Sequence, residues 1–286
     1  MMQKLYNPVL MKELKLRFRF FKSITGLMFY LLALCIVVIG FFMIVTQFSG
    51  TGYFRPSESL YLFMMISVLQ MGLVMFITPG LTAGAISTER EKQTLNMLLM
   101  TTQSSWQIIF GKLTSSIAFL GLLLMAGLPI YSIVFLFGGV SPTQLLTIFF
   151  FYFVTMVAIG SIGIFFSTVI KRTITSMIAT YGAMIFLGGF TAFFFFIGIV
   201  IDQSAMATMS SSQTYTPFSP ITYFWASINP GALMLTILSS DMQEGLYSTV
   251  GVRLPIWIPY LIFYVGVTVT MLVLSVKKLR VNMKRG

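Results

Sequence analysis

All 25 charged side chains of this 286-residue chain fall outside six long apolar stretches. The stretches are residues 24–46, 60–86, 113–137, 143–170, 174–200 and 256–276, and none contains an Asp, Glu, Lys or Arg. Each reaches the roughly 20 residues a helix needs to cross the hydrocarbon core of a bilayer. Runs such as Leu145 to Met156 do not alternate as barrel strands do, so the spans read as helices. Hydrophobic residues make up 57% of the chain and charged residues 9%. A water-soluble domain carries about 25% charged residues, and a chain so poor in them could not cover this much apolar surface. The fold class is therefore an all-α polytopic membrane protein with six transmembrane helices.

The basic residues set the expected orientation. With both termini in the cytoplasm, the cytoplasmic side holds 16 of the 18 Lys and Arg, leaving only Arg55 and Arg253 outside. That arrangement divides the chain into an N-terminal interfacial helix over 1–23, a transmembrane domain over 24–276 and a basic tail over 277–286. Within the domain lie a cytoplasmic loop at 87–112 and an external segment at 201–255. The first 22 residues are basic and amphipathic, and the apolar run after them is long enough to span, which reads as an uncleaved protein of the cell membrane. In the external segment, 217–240 is apolar enough to compete as a seventh span, but it contains Pro217, Pro220 and Pro230. It reads instead as a segment dipping toward the membrane, with a short helix starting at Pro230 and Asn229 as its N-cap. Ser204 to Thr216 reads as an external loop.

Composition excludes several chemistries. The chain has no His, so neither His acid–base catalysis nor His metal ligation is available, and its single cysteine, Cys35, cannot form an internal disulfide or a thiolate cluster. Metal and catalytic residues are accordingly read as none. The net charge of +11 is placed for membrane topology rather than for nucleic acid.

Two stretches at the cytoplasmic side carry local order. Around Asn7 and Pro8 a helix can start, with Leu10, Leu14, Phe18 and Phe21 on one face and Lys12, Lys15, Arg19 and Lys22 on the other. Such a helix lies along an anionic leaflet, and Arg17, on the apolar side, must snorkel or meet a carboxylate. The loop after the second span reads Ser87-Thr88-Glu89-Arg90-Glu91-Lys92-Gln93-Thr94-Leu95-Asn96-Met97-Leu98-Leu99-Met100. Thr88 and Glu91 have capping-box spacing, which predicts a helix from Glu89 with Leu95, Leu98 and Leu99 as its apolar ridge. Ser104 and Gln107 repeat the spacing, so two short helices joined near 101–103 are expected. Gly80 and Gly84, beside Pro79, allow close packing at the inner end of the second span.

These residues resemble the signature stretch of ABC-2-type transporter permeases, the membrane subunits of ATP-driven exporters. The pattern runs Glu-x-Glu-x-Gly-Thr-Leu-x-x-Leu-Leu-x-Thr-Pro, then an apolar pair and Gly-Lys. It appears here as Glu89, Glu91, Thr94, Leu95, Leu98, Leu99, Thr101, Ile108, Ile109, Gly111 and Lys112. Gln93 stands where the family usually has Gly, and Thr102 where it usually has Pro. The opening Asn7-Pro8-Val9-Leu10, with Lys12, Glu13, Leu14 and Arg17, resembles the start of the same permeases. The resemblance implies that Glu89, Arg90, Glu91, Lys92, Thr94, Leu95, Leu98 and Leu99 form a coupling helix for a partner ABC ATPase. It implies that Lys12, Glu13, Lys15, Arg17 and Arg19 belong to an interfacial helix that contacts the same partner. It further implies a second permease, identical or related, with a path between the two lined by spans two and five. Phe190, Phe193 and Phe194 would then sit at an external gate.

No Walker A motif, Gly-x-x-x-x-Gly-Lys-Ser/Thr, occurs, so this chain is not an ATPase; ATP and Mg belong to the partner. The expected function is export of a hydrophobic, amphipathic or peptide-like substrate. The alternative is an ATP-independent carrier or channel, although charge-free spans argue against proton coupling. An intramembrane enzyme is the least favoured, since Asp202, Asp241 and Glu244 all fall beyond the expected spans.

Overall fold

The computed structural model describes residues 21–48, 56–95, 104–136, 138, 140–209, 219–251 and 254–283. The interfacial helix expected before residue 21 lies outside the described residues, as do Leu98, Leu99 and Thr102. Among the described residues there are helices and no strands, and six helices are long and apolar enough to cross a membrane. The spans run over Phe21–Phe48, Pro56–Thr82, Ser105–Leu136, Pro142–Val169, Thr173–Met209 and Trp257–Met283. The fifth is interrupted by one π-helical turn at Phe186–Phe190.

Several ends differ from expectation, each for a local reason. The Ser104–Gln107 capping box forms: Gln107 N–H donates to Ser104 Oγ at 3.3 Å and Ser104 N–H to Gln107 Oε1 at 2.9 Å. The helix it starts runs unbroken to Leu136, so the expected second short helix is the first part of the third span. A second capping box, Ser141 with Gln144, starts the fourth span. The fifth helix continues through 204 to Met209, where a loop was expected, and carries Asp202 with it.

The chain divides into two compact units, 1–181 with 267–286, and 182–266. In the first, the second span packs on the third and fourth, and the first packs on the second and third. Close approach of spans two and four rests on Gly160 and Gly163. A Cβ at Gly163 would lie 2.1 Å from Thr82 Oγ1. Gly80 and Gly84 instead face the start of the fifth span, near Tyr181 and Thr173 respectively. Two buried tyrosine hydroxyls find partners across the helices. Tyr30 donates to Gln70 Oε1 at 2.8 Å, and Tyr152 to the Ser67 carbonyl at 2.8 Å.

In the second unit, three short helices follow the fifth span: Pro220–Ile228, Pro230–Leu238 and Ser240–Val250. The first two are bent by 94° into an elbow. The expected helix from Pro230 is present, with Asn229 Oδ1 accepting from Ala232 N–H at 2.9 Å. The helix before it was not expected. A cavity of about 300 Å³ opens between Phe195, Ile199 and Gln203 of the span and Leu235 and Leu246 of the short helices.

Candidate coupling site

The loop after the second span is a tightly tied structure. The helix ends at Thr82, and Ala83 N–H reaches back to the Pro79 carbonyl at 2.8 Å. A turn over 83–86 leads into a five-residue helix, Ser87–Glu91. The N–H groups that open a helix have no partner within it. Here Ile86 and Ser87 donate theirs to Ser167 Oγ of the fourth span, at 2.8 and 2.9 Å. The predicted Thr88–Glu91 capping box does not form, and the helix starts two residues earlier than Glu89. Glu91 has a stronger offer elsewhere.

Each of the first three charges on this helix reaches a different span. Lys112 Nζ, on the third span, donates to Glu89 Oε1 at 2.7 Å. The lysine side chain is 5% exposed and the glutamate 26%. Arg90 donates to the carbonyls of Thr168 and Ile170, at 2.9 and 3.3 Å. Those carbonyls end the fourth span, where a cation is favoured by the helix dipole. Glu91 accepts from the N–H and the hydroxyl of Thr173, at 2.7 and 2.8 Å. Thr173 opens the fifth span, and a carboxylate there suits the positive end of that helix. Glu91 is exposed, past the turn that ends the apolar helix and so outside the membrane-spanning stretch. Both Thr173 donors, with Arg172 nearby, hold its carboxyl below the usual range.

The helix closes at Lys92 and Gln93. Gln93 adopts a φ of 59°, and Thr94 N–H returns to the Glu89 carbonyl at 2.9 Å. This left-handed position just past a helix end is the one glycine usually fills. The chain turns helical again at Leu95, which is buried with Ile86, Ile108, Ile109, Leu113, Ile164, Leu272, Val276 and Leu279. Lys92, Gln93 and Thr94 form the exposed tip. The motif residues at the two ends of the loop thus meet: Glu89 finds Lys112, and Leu95 finds Ile108 and Ile109.

A sequence profile of the ABC-2 family of transporter proteins matches residues 20–280. The chain belongs to that family. Nothing matches it among curated proteins. As an ABC-2 family membrane protein it is a transport component and not itself the catalyst.

The remaining expected residues are spread along the fifth span. Phe190 closes the π turn and is half-exposed, as is Phe193, while Phe194 stacks on Trp225 with ring centroids 4.8 Å apart. Asp202 was expected beyond the span. It is buried, accepting from the hydroxyls of Ser219 and Thr222. Ser167, Thr168 and Thr173 are partners of the loop that the sequence reading did not single out. The only hint was that hydroxyl side chains stand at the ends of apolar runs.

Proposed function

We propose that this ABC-2 family protein is the permease subunit of an exporter, powered by ATP hydrolysed in a separate ABC ATPase. The observation that carries this reading is the strap: one short helix, by three consecutive charged residues, holds the third span and the ends of the fourth and fifth. A partner pressing on the exposed tip, Lys92 to Thr94, moves all three anchors together. Such coupling works only if the contacts differ between ATP-bound and ATP-free states. Loop and N-terminal helix face the cytoplasm of a cell-membrane protein in this proposal, and a second permease, identical or related, completes the path. The apolar stretches that make up most of each span suit a hydrophobic, amphipathic or peptide-like cargo.

Affinity purification of the tagged chain tests this. The expected result is that an ATPase subunit and a second permease copy come with it. Lys92→Glu with Thr94→Glu should release the ATPase while the permease stays folded. Transport by the purified chain alone, with no ATPase present, would overturn the proposal.

A further inference from the structure

The fifth span contains a defect, and a residue outside the span repairs it. A π turn adds one residue to a helical turn, spoils the normal bonding ladder there, and is found most often at functional positions. Here it covers Phe186–Phe190 and includes the pair Gly188 and Gly189. Asn229 Nδ2 donates to the Gly188 carbonyl and to Thr191 Oγ1, both at 2.8 Å. Thr191 in turn donates to the Leu187 carbonyl at 2.6 Å. Meanwhile Asn229 Oδ1 caps the helix Pro230–Leu238. Both donors and the acceptor of one amide, only 4% exposed, are therefore spent at a 94° elbow.

The helix Pro220–Ile228 then follows the span away from this point. Phe194 stacks on Trp225, Gly198 has Thr222 where a Cβ would go, and Asp202 accepts from Thr222 at 2.9 Å. The elbow is thus fastened at the π turn and again at Asp202.

We propose that Asn229 is a positioning residue for transport: it fastens the elbow to the π turn, so that the span beyond the turn and the elbow helices move as one body about residues 186–190. This rests on the proposed transport role, in which spans rearrange to open a path. Asn229→Ser separates the two duties of the amide, because a hydroxyl still caps Ala232 but cannot reach Gly188 and Thr191 as donor to both.

The test uses the full chain in lipid nanodiscs, followed by hydrogen exchange. In Asn229→Ser, exchange of the amides at 187–192 should rise about tenfold or more, as expected when a buried carbonyl loses its partner, while 230–238 keeps its protection. Spin labels placed at the exposed positions Phe193 and Ile221, in a Cys35→Ser background, should give a narrow distance distribution in the parent and a broad one in Asn229→Ser. Deleting Gly188 removes the extra residue of the π turn, so the deletion combined with Asn229→Ser should restore slow exchange. A general loss of packing around residue 229 would not be rescued in this way. Unchanged exchange at 187–192, or loss of protection spread equally over 230–238, overturns the proposal, as does failure of the deletion to rescue. Failure to recover an ATPase with the chain would sink the transport reading and leave these readouts unmoved, so the two failures are distinguishable.

Discussion

Gln93 occupies the place where ABC-2 permeases usually carry glycine, and its backbone shows why glycine is favoured. Its φ of 59° is left-handed, and its side chain is exposed, with no packing to offset the strain. An L-residue with a Cβ in this region costs about 1–2 kcal/mol, which glycine avoids. Glycine gives back about 0.5–1 kcal/mol through its greater freedom in the unfolded chain. Gln93→Gly should therefore stabilise by about 0.5–1 kcal/mol, a rise of very roughly 1–4 °C in midpoint for a chain of this size. The measurement is thermal unfolding in detergent, followed by helical circular dichroism. Gln93→Ala retains the Cβ and should change little, while Gln93→Asn should gain part of the effect, since Asn tolerates this conformation better. Thr94→Gly, one residue on and without the left-handed backbone, should be neutral or destabilising. If Gln93→Gly matched Thr94→Gly, or lowered the midpoint, the assignment of this residue as the helix-ending position would be wrong.

Other consequences of the loop geometry are as direct. Lys112→Met leaves the Glu89 carboxylate without its cation and should cost about 1–3 kcal/mol, below the value for a fully buried pair because Glu89 is partly exposed. Adding Glu89→Gln should cost less than the sum, and an additive double mutant in a thermal-unfolding cycle would refute the pairing. Gly163→Ala places a Cβ against Thr82 and the Ala83 backbone, so an overpacking loss of about 1–3 kcal/mol is expected. Thr82→Ala should recover part of it, which the same cycle measures. The Glu91 carboxyl is held low by Thr173, so its contribution is present through neutral pH and disappears in acid, as pH falls through the depressed value. The difference in midpoint between the parent and Glu91→Leu should shrink over that acid range, and a difference unchanged down to full protonation would contradict the assignment.

What was readable in the sequence was whatever is decided within a turn or two of chain. The spans were legible because an ionised side chain inside the hydrocarbon is costly and rare, so most charges mark the ends. The caps at Ser104 and Asn229 were legible because donor and acceptor are three residues apart in each case. Glu91 had the same local signal and went elsewhere, to Thr173, which is 82 residues away. A side chain at capping-box spacing chooses between its own helix and any other open helix end nearby, and only the fold shows that end. Asp202 was misplaced for a related reason. A lone carboxylate after an apolar run looks like the edge of water, but the hydroxyls of Ser219 and Thr222, from a separate stretch, hold it inside. The π turn left no trace beyond two adjacent glycines.

The family signature can now be understood as a piece of mechanics. Its ends are 23 residues apart in sequence at Glu89 and Lys112, and they are joined by a short ion pair. Its middle turns at Gln93, and its apolar positions Leu95, Ile108 and Ile109 share one core. A flexible connector would leave these charges in water, where each pair is worth little and yields under load. Here Lys112 is buried, and the carbonyls that Arg90 caps and the amide that Glu91 caps belong to helix ends with no other ladder partner. Pulling the tip away from any one of these anchors strands a polar group, so the lower-energy response to a push is for the helix to carry its anchors along. On the proposed reading that is the property a coupling element needs: stiffness at the point of contact, and attachment to more than one span.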